Sequence, residues 1–122
     1  MKRSNAFAVG ASLALLAPVA LAHHGWAGQG DENFELTGTV EKPVSLAGPH
    51  ATMKVRSQGQ VWDITLAPPP RTEAAGLKPE TLKVGDAVTV SGHRNRDAKR
   101  NEIKTERVTV NGKLYNVYPD RD

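Results

Sequence analysis

The sequence contains no cysteine, and this absence removes several classes of protein from consideration. Disulfide-stabilised scaffolds need cysteine, as do zinc and iron–sulfur sites with thiolate ligands. The 122 residues also contain no glycine-rich phosphate loop, no His-Glu-x-x-His helix and no nucleophile elbow, so we expect no enzyme activity. A chain of this length forms one domain, and 24% charged residues are ordinary for a globular protein.

Long hydrophobic runs are also missing, and one short run has the form of an export signal. Lys2 and Arg3 precede an apolar run over residues 6–17, and Pro18 ends it just before Ala20-Leu21-Ala22. This order is typical of a secretory signal peptide with an Ala-x-Ala cleavage site, whereas a membrane span needs about 20 apolar residues. We predict a signal peptide over residues 1–22, cleavage after Ala22, a periplasmic location and no membrane span in the mature protein.

Cleavage changes the argument from charge. The full sequence has 16 basic and 13 acidic residues, a formal net charge of +3. Loss of Lys2 and Arg3 leaves 14 basic residues against 13 acidic ones, and a net charge of +1 on the remaining 100 residues. Most of the excess positive charge therefore belongs to the signal peptide, and we expect no nucleic-acid partner.

After the signal peptide, apolar and polar residues alternate with a period of two, which is typical of half-buried strands. Five such segments are followed by a short sixth strand after the turn signal Asn111-Gly112. A change of parity between Ile103 and Val108 predicts a β-bulge in the fifth strand. One short helix is predicted over residues 71–76, with a glycine as its stop.

This pattern predicts an all-β fold, a small five- to six-stranded Greek-key barrel of the OB-fold type with one short helix between strands 3 and 4. Another small barrel or sandwich with the same strand count is the alternative. We divide the mature chain into a flexible amino-terminal arm over residues 23–33 and a barrel over residues 34–122. Met53 and Trp62 are predicted to lie in the core, and residues 93–101 are predicted to form a loop.

Several short motifs together resemble a known but uncharacterised family. They are His-His-Gly-Trp at 23–26, Gly-Thr-Val at 38–40, Gly-Pro-His at 48–50, Trp-Asp-Ile at 62–64 and Leu-Lys-Val-Gly-Asp-x-Val-x-Val-x-Gly-His at 82–93. The resemblance is to small exported bacterial proteins with a domain of unknown function, which often begin Ala-His-His-Ser-Phe and carry Asn-Pro-His. This chain has Gly25-Trp26 in place of Ser-Phe and Gly48 in place of Asn. The resemblance implies export and a barrel, without a settled activity.

The four histidines, His23, His24, His50 and His93, are candidate metal ligands. Cleavage after Ala22 would give His23 a free α-amine, which together with its imidazole can chelate Cu(II) or Zn(II). In an OB-fold the loop between strands 1 and 2 and the loop between strands 4 and 5 flank one binding mouth, and His50 and His93 lie at the ends of these loops. Both share the polar parity of their strands, so we expect them at the surface, either as ligands or as solvated residues.

Periplasmic OB-fold chaperones that bind copper or silver are more distantly similar in size, location and topology. They hold the reduced metal with one His, two Met and a facing Trp, whereas the mature chain contains a single methionine, Met53. That ligand set is therefore not transferred to this chain, and Cu(II) or Zn(II) held by histidine and amine nitrogens is the predicted cofactor.

A binding module without metal is the alternative function. Basic residues cluster in the loop between strands 4 and 5 and in the fifth strand, with acidic residues among them. They are Arg94, Arg96, Lys99, Arg100, Lys104 and Arg107. In this interpretation Trp26, Arg94 and Arg96 contact a small anionic ligand, such as an anionic oligosaccharide or a lipid head group, at the mouth of the barrel. A solvated loop of mixed charge is the plainer interpretation, and the pattern does not indicate an oligomeric state.

Overall fold

The computed structural model describes residues 28–121, so the predicted signal peptide, His23, His24 and Trp26 lie outside the described residues. Six strands and one short helix form within this range. In chain order they are β1 (Phe34–Ser45), β2 (Thr52–Ser57), β3 (Gln60–Thr65), α1 (Pro69–Ala74), β4 (Ala87–Arg94), β5 (Glu102–Val110) and β6 (Lys113–Asn116).

Five of the strands close into a barrel. β1 pairs antiparallel with both β2 and β4, β2 pairs with β3, and β4 pairs with β5. A short parallel pairing of β3 with β5 closes the ring, and β6 extends the sheet outside it by pairing with β5. The predicted all-β Greek-key barrel, with an extra strand and a helix between β3 and β4, is confirmed.

The alternating apolar residues fill the interior of this barrel, as a period of two requires. Met53 and Trp62 are 2% and 6% exposed, which confirms their predicted place in the core. Two tight turns set the register of the hairpins, since both central residues of each have positive φ, the geometry of type I′ turns. These turns are Gln58-Gly59 between β2 and β3 and Asn111-Gly112 between β5 and β6.

The helix α1 begins earlier than the sequence predicts. Pro69 and Pro70 form its first turn, because proline fixes a helical φ and the first turn does not need its missing N–H. The Thr72 hydroxyl is buried and donates to the carbonyl of Ala67, which connects the helix to the segment that follows β3. Gly76 has a φ of +103° just after the helix, which confirms the predicted stop.

The predicted bulge lies in β5 at Glu106. Ser91 of β4 faces Arg107, whereas the next residue of β4, Gly92, faces Thr105, so that Glu106 is the extra residue. The prediction that residues 93–101 form a loop is wrong at its start, because β4 continues through Arg94 and is followed by a bridge between Gln29 and Asn95.

Two glycines allow the strands to approach closely. A Cβ atom on Gly38 of β1 would lie 2.2 Å from the carbonyl oxygen of Arg56, and one on Gly92 of β4 would lie 2.1 Å from that of Lys104. Both distances are far below van der Waals contact, so glycine alone fits at these two positions, where the backbones of adjacent strands approach closely.

Residues 28–121 include no helix that is long and apolar enough to span a membrane.

Candidate functional site

His93 lies in a covered position between the amino-terminal segment and the outer face of β5. Its exposed fraction is 9%, so the expectation of a surface histidine is wrong. Nδ1 lies 2.9 Å from the carbonyl oxygen of Gly30, and Nε2 lies 3.0 Å from Glu106 Oε2, both within hydrogen-bond distance. Both ring nitrogens therefore have an oxygen partner within the protein. A metal ion at His93 would have to replace one of these bonds.

Glu106 is the centre of the same cluster, with an exposed fraction of 2%. Besides His93, its carboxylate accepts hydrogen bonds from Arg121 Nε at 3.1 Å and from Arg107 Nη1 at 3.4 Å. Its backbone carbonyl accepts the amide of Val117. Two guanidinium groups and the His93 imidazole compensate the cost of burying this carboxylate, and Arg121 fixes the carboxy-terminal segment against β5.

His50 lies in the loop between β1 and β2, and its contacts also differ from a solvated histidine. The ammonium group of Lys104 donates to His50 Nε2 over 3.2 Å. Partial burial and the charge of Lys104 lower the pKa of His50, and burial together with the charge of Arg121 lowers the pKa of Lys104. Lys104 is also the register partner of His93 across the β4–β5 pairing, so the contacts of both histidines lie in the same part of β5.

Both histidines contact residues of β5, His50 through Lys104 and His93 through Glu106. These contacts do not direct the two imidazoles at a shared metal position. Within residues 28–121, no group of three or more His, Cys, Asp or Glu side chains has the arrangement of a metal site.

Arg94 lies at one end of the barrel, over a pair of aromatic rings. The guanidinium carbon is 4.7 Å from the ring centroid of Trp62 and 5.6 Å from that of Phe34, within the range of cation–π attraction. The two rings stack on each other with centroids 5.6 Å apart. Nη2 donates to the carbonyl oxygen of Ala98, whereas Nε is buried and has no hydrogen-bond acceptor among the described residues.

These three side chains form part of the wall of a pocket of about 570 Å³, which we call the arginine pocket. It is lined by Phe34, Glu35, Leu36, Thr37, Ser57, Gln58, Gln60, Trp62 and Arg94. Its volume is in the range of sites for small molecules. A second pocket of about 370 Å³ lies beside it and shares Phe34 and Arg94.

Arg96 contacts the amino-terminal segment, unlike Arg94. Its backbone amide donates to the carbonyl of Gly28 over 3.1 Å, and its Nε donates to that of Gln29 over 2.8 Å. The amide of Gly30 donates to the carbonyl of Arg94. Arg96 therefore fixes the amino-terminal segment to the end of β4 and does not line the arginine pocket.

The remaining members of the basic cluster are spread over separate surfaces. Lys104 and Arg107 contact the carboxy-terminal segment, and Arg100 pairs with Glu102 over 2.8 Å. Among the basic residues of this cluster, Arg94 is therefore the one that lines the arginine pocket.

Sequence reasoning missed the partners of Arg94. Phe34 and Trp62 belong to β1 and β3, which are not neighbours in the sheet, and they meet only because the barrel closes. The alternation pattern assigns both rings to an inner face, but it does not show that they stand at the end of the barrel.

Comparison with known proteins supports the fold. No curated protein matches the chain. Among solved structures, a TiaS mutant in complex with agmatine matches 70% of this chain with a TM-score of 0.53 and 16% identity. A complex of TiaS with a tRNA and ATP matches 64% with a TM-score of 0.50 and 18% identity. The chain spans only 26% and 18% of the length of those proteins, and at such low identity the likeness concerns the fold alone.

The family comparison covers most of the chain. A family of unknown function, DUF6152, matches residues 11–105, a range that runs from the predicted signal peptide to the middle of β5. The resemblance to an uncharacterised family of small barrels is therefore confirmed at that level, and the chain belongs to the family of unknown function DUF6152.

Proposed function

We propose that this protein is an exported binding protein, without catalytic activity, that holds a small anionic ligand in the arginine pocket. The observation that carries the proposal is the guanidinium group of Arg94. It is oriented by two aromatic rings, lines a pocket of suitable size and has no carboxylate partner within the described part of the chain.

The physical reason is that an arginine without a counter-ion in a concave wall attracts anions more strongly than one on an open surface. The surrounding protein lowers the local dielectric constant, and the planar guanidinium can bind a carboxylate or phosphate with two parallel hydrogen bonds. The rings beneath it hold the plane in one orientation, which reduces the entropy lost on binding.

Another pocket on the barrel is less suited to this role. It has about 310 Å³ and lies on the outer side of β1, β2 and β3. Three of its four charged lining residues are already paired, Lys54 with Asp63 and Glu102 with Arg100, and no aromatic ring in the lining orients the fourth, Lys42.

The test is a titration of the mature protein with glucuronate and with glycerol 3-phosphate, in which calorimetry measures the heat of binding. Trp26→Phe leaves Trp62 as the single tryptophan of the chain, so that its fluorescence reports on the pocket. We expect a dissociation constant below about 1 mM for at least one probe, and a loss of at least about tenfold in affinity in Arg94→Gln.

The matched control is Arg100→Gln, since Arg100 belongs to the same loop but pairs with Glu102 outside the pocket. Thermal melting of each variant shows that it is folded. Binding that is absent for both probes, or lost equally in the two arginine variants, would refute the proposal.

Metal binding is a second proposal, and the contacts of His93 support a narrower form of it. Because both ring nitrogens of His93 are hydrogen-bonded and His50 accepts a bond from Lys104, the proposed ligands for Cu(II) or Zn(II) are His23, His24 and the α-amine created by cleavage after Ala22.

Calorimetry with Cu(II) on protein that begins at His23 tests this second proposal. We expect about one ion per chain and at least tenfold weaker binding when one extra residue precedes His23, because an amide nitrogen then replaces the amine. Affinity no tighter than millimolar, or the same affinity in both proteins, would exclude it.

A further inference from the structure

The beginning of β1 has a neighbouring strand on one side only. Residues 34–37 pair with β4, whereas the pairing of β1 with β2 begins at Thr39. β2 ends at Ser57, and Gln58, with a φ of +50°, starts the turn into β3. Within residues 28–121 no strand lies beside residues 34–37 on this second side, so they form an open edge of the sheet.

The hydrogen bonds of β1 show which backbone groups point toward the open edge. The amide and carbonyl of Val40 bond to the backbone of residues 85 and 86, on the side of β4. The carbonyl of Thr37 accepts a bond from the hydroxyl of Ser57, on the side of β2. Because backbone groups alternate between the two sides of an antiparallel strand, the N–H of Thr37 and both the N–H and the C=O of Glu35 point toward the open edge.

This backbone edge is part of the wall of the arginine pocket. Glu35 and Thr37 both line the pocket. Their side chains have the exposed parity of β1, opposite to that of the buried Leu36, and so belong to the outer face of the sheet. What these two residues can present to the pocket is therefore their backbone, with two N–H donors and one C=O acceptor.

Arg94 lies at the end of the open edge where β1 begins. Phe34 pairs with Gly92, and β4 continues past this pair to Arg94. The guanidinium group covers the ring of Phe34 and lines the same pocket. A strand added antiparallel to β1 would run from Thr37 toward Phe34, so its carboxy terminus would arrive beside Arg94.

We propose that the ligand of the arginine pocket is the carboxy-terminal end of an extended peptide, which pairs antiparallel with residues 34–37 and places its carboxylate on Arg94. The inference rests on the proposed function, because it takes Arg94 as the group that binds the anion, and it adds the ligand class. Addition of a peptide to an open sheet edge is a recurring mode of recognition. At about 3.4 Å per residue, this edge accommodates about three residues of peptide.

The first experiment varies the peptide and leaves the protein unchanged. The mature protein is titrated calorimetrically with N-acetyl-Ala-Ser-Ala, whose acetyl group removes the ammonium charge and leaves the carboxylate. Butanoate provides a carboxylate without a peptide backbone, and the carboxy-terminal amide of the same peptide provides the backbone without the charge. Two further peptides carry an N-methyl group, one on the serine and one on the last alanine.

We expect the peptide acid to bind at least about tenfold more tightly than butanoate and than the peptide amide. Since successive N–H groups of a paired strand point to opposite sides, one N-methyl peptide should bind at least about tenfold more weakly than the other. Equal affinities of the two N-methyl peptides would overturn the proposed pairing.

The second experiment removes an N–H of the edge from the protein. Glu35→Pro lacks this donor, and proline is tolerated in a strand where its N–H does not take part in the ladder. Glu35→Ala is the matched comparison, because it loses the same carboxylate and keeps the N–H. We expect the peptide acid to bind about tenfold more weakly to the proline variant than to the alanine variant, and butanoate to bind both equally.

Equal binding of the peptide acid to the two variants would contradict the pairing. Thermal melting shows whether each variant is folded. If the proline variant does not fold, the two N-methyl peptides still test the pairing on the unmodified protein.

The outcomes separate this inference from the proposed function. If the peptide acid binds no more tightly than butanoate, and Arg94→Gln weakens both, the peptide is excluded and the anion site stands. If neither these probes nor glucuronate and glycerol 3-phosphate bind, the anion site itself is excluded. A dimer in sedimentation equilibrium that Glu35→Pro abolishes and the peptide acid does not dissociate would assign the edge to a second copy of this chain instead.

Discussion

The carboxylate of Glu106 shows how one residue can connect distant parts of a small protein. It is almost fully buried, and a buried carboxylate is stable only when its charge is compensated. The compensating charges are those of the adjacent Arg107 and of Arg121, and His93 of β4 adds a hydrogen-bond contact. Removing the charge therefore leaves several donors without an acceptor.

Glu106→Gln is expected to lower the free energy of unfolding by about 3–5 kcal/mol, the usual cost of breaking a buried pair by removing one partner. The amide group of Gln would direct N–H donors at the donors of His93 and Arg121. The midpoint of urea unfolding measures the loss. Asp63→Asn removes the exposed partner of Lys54 and should cost less than about 1 kcal/mol, so equal losses in the two variants would contradict the expectation.

His50 gives the stability of the protein a dependence on pH. In the folded state its pKa is lowered from the usual value of 6.5 by burial and by Lys104. The unfolded chain therefore binds the proton more readily, and stability is full above the unfolded pKa and is lost as the pH falls below about 6.5. His50→Gln should reduce the slope of unfolding free energy against pH between pH 7.5 and 5.5. An unchanged slope would show that other groups cause it.

The strands themselves were predictable, because burial of alternate residues needs only the period of two. The same reasoning placed the bulge of β5, since the parity of apolar residues has to change between Ile103 and Val108. What covers the outer face of a strand is not contained in that strand's pattern. His93 and Lys104 have the parity of exposed residues, but segments from both ends of the described chain lie over them.

The close crossing of β4 and β5 makes Gly92 the most restrictive position of the barrel wall. Gly92→Ala should destabilise the fold by about 3 kcal/mol or more, because its Cβ would meet the backbone of Lys104 and Thr105 and cannot be relieved by rotating a side chain. Thermal unfolding measures the effect. Gly28→Ala is the matched control, since a Cβ there meets no atom within 4 Å. Similar melting temperatures for the two variants would mean that β4 and β5 can move apart to accommodate a Cβ atom, which contradicts the expectation.

The whole molecule is held together by contacts of large sequence separation. The bond from His93 to Gly30 joins residues 63 positions apart, and that from Arg121 to Glu106 joins residues 15 positions apart. Since His93 and Glu106 also bond to each other, the amino-terminal segment and the carboxy-terminal segment are secured by one pair of side chains.

His93→Gln is expected to loosen both ends at once. Hydrogen exchange should accelerate by at least about tenfold at the amides of Gly30 and Val117 while the β2–β3 hairpin keeps its protection. Arg96→Gln, which removes a contact of the amino-terminal segment alone, should accelerate exchange at Gly30 and leave Val117 unchanged. Faster exchange throughout the barrel in both variants would show that the two ends are not a separate cooperative unit.

The meeting of both ends at His93 and Glu106 has a consequence for the order of the chain. Residues 30 and 121 lie on two sides of one imidazole and carboxylate pair, so a short flexible linker could join them without crossing the barrel. New ends could then open at the exposed turn Gln58-Gly59. Such a circular permutant would start in the middle of the sheet and still place the same strands side by side.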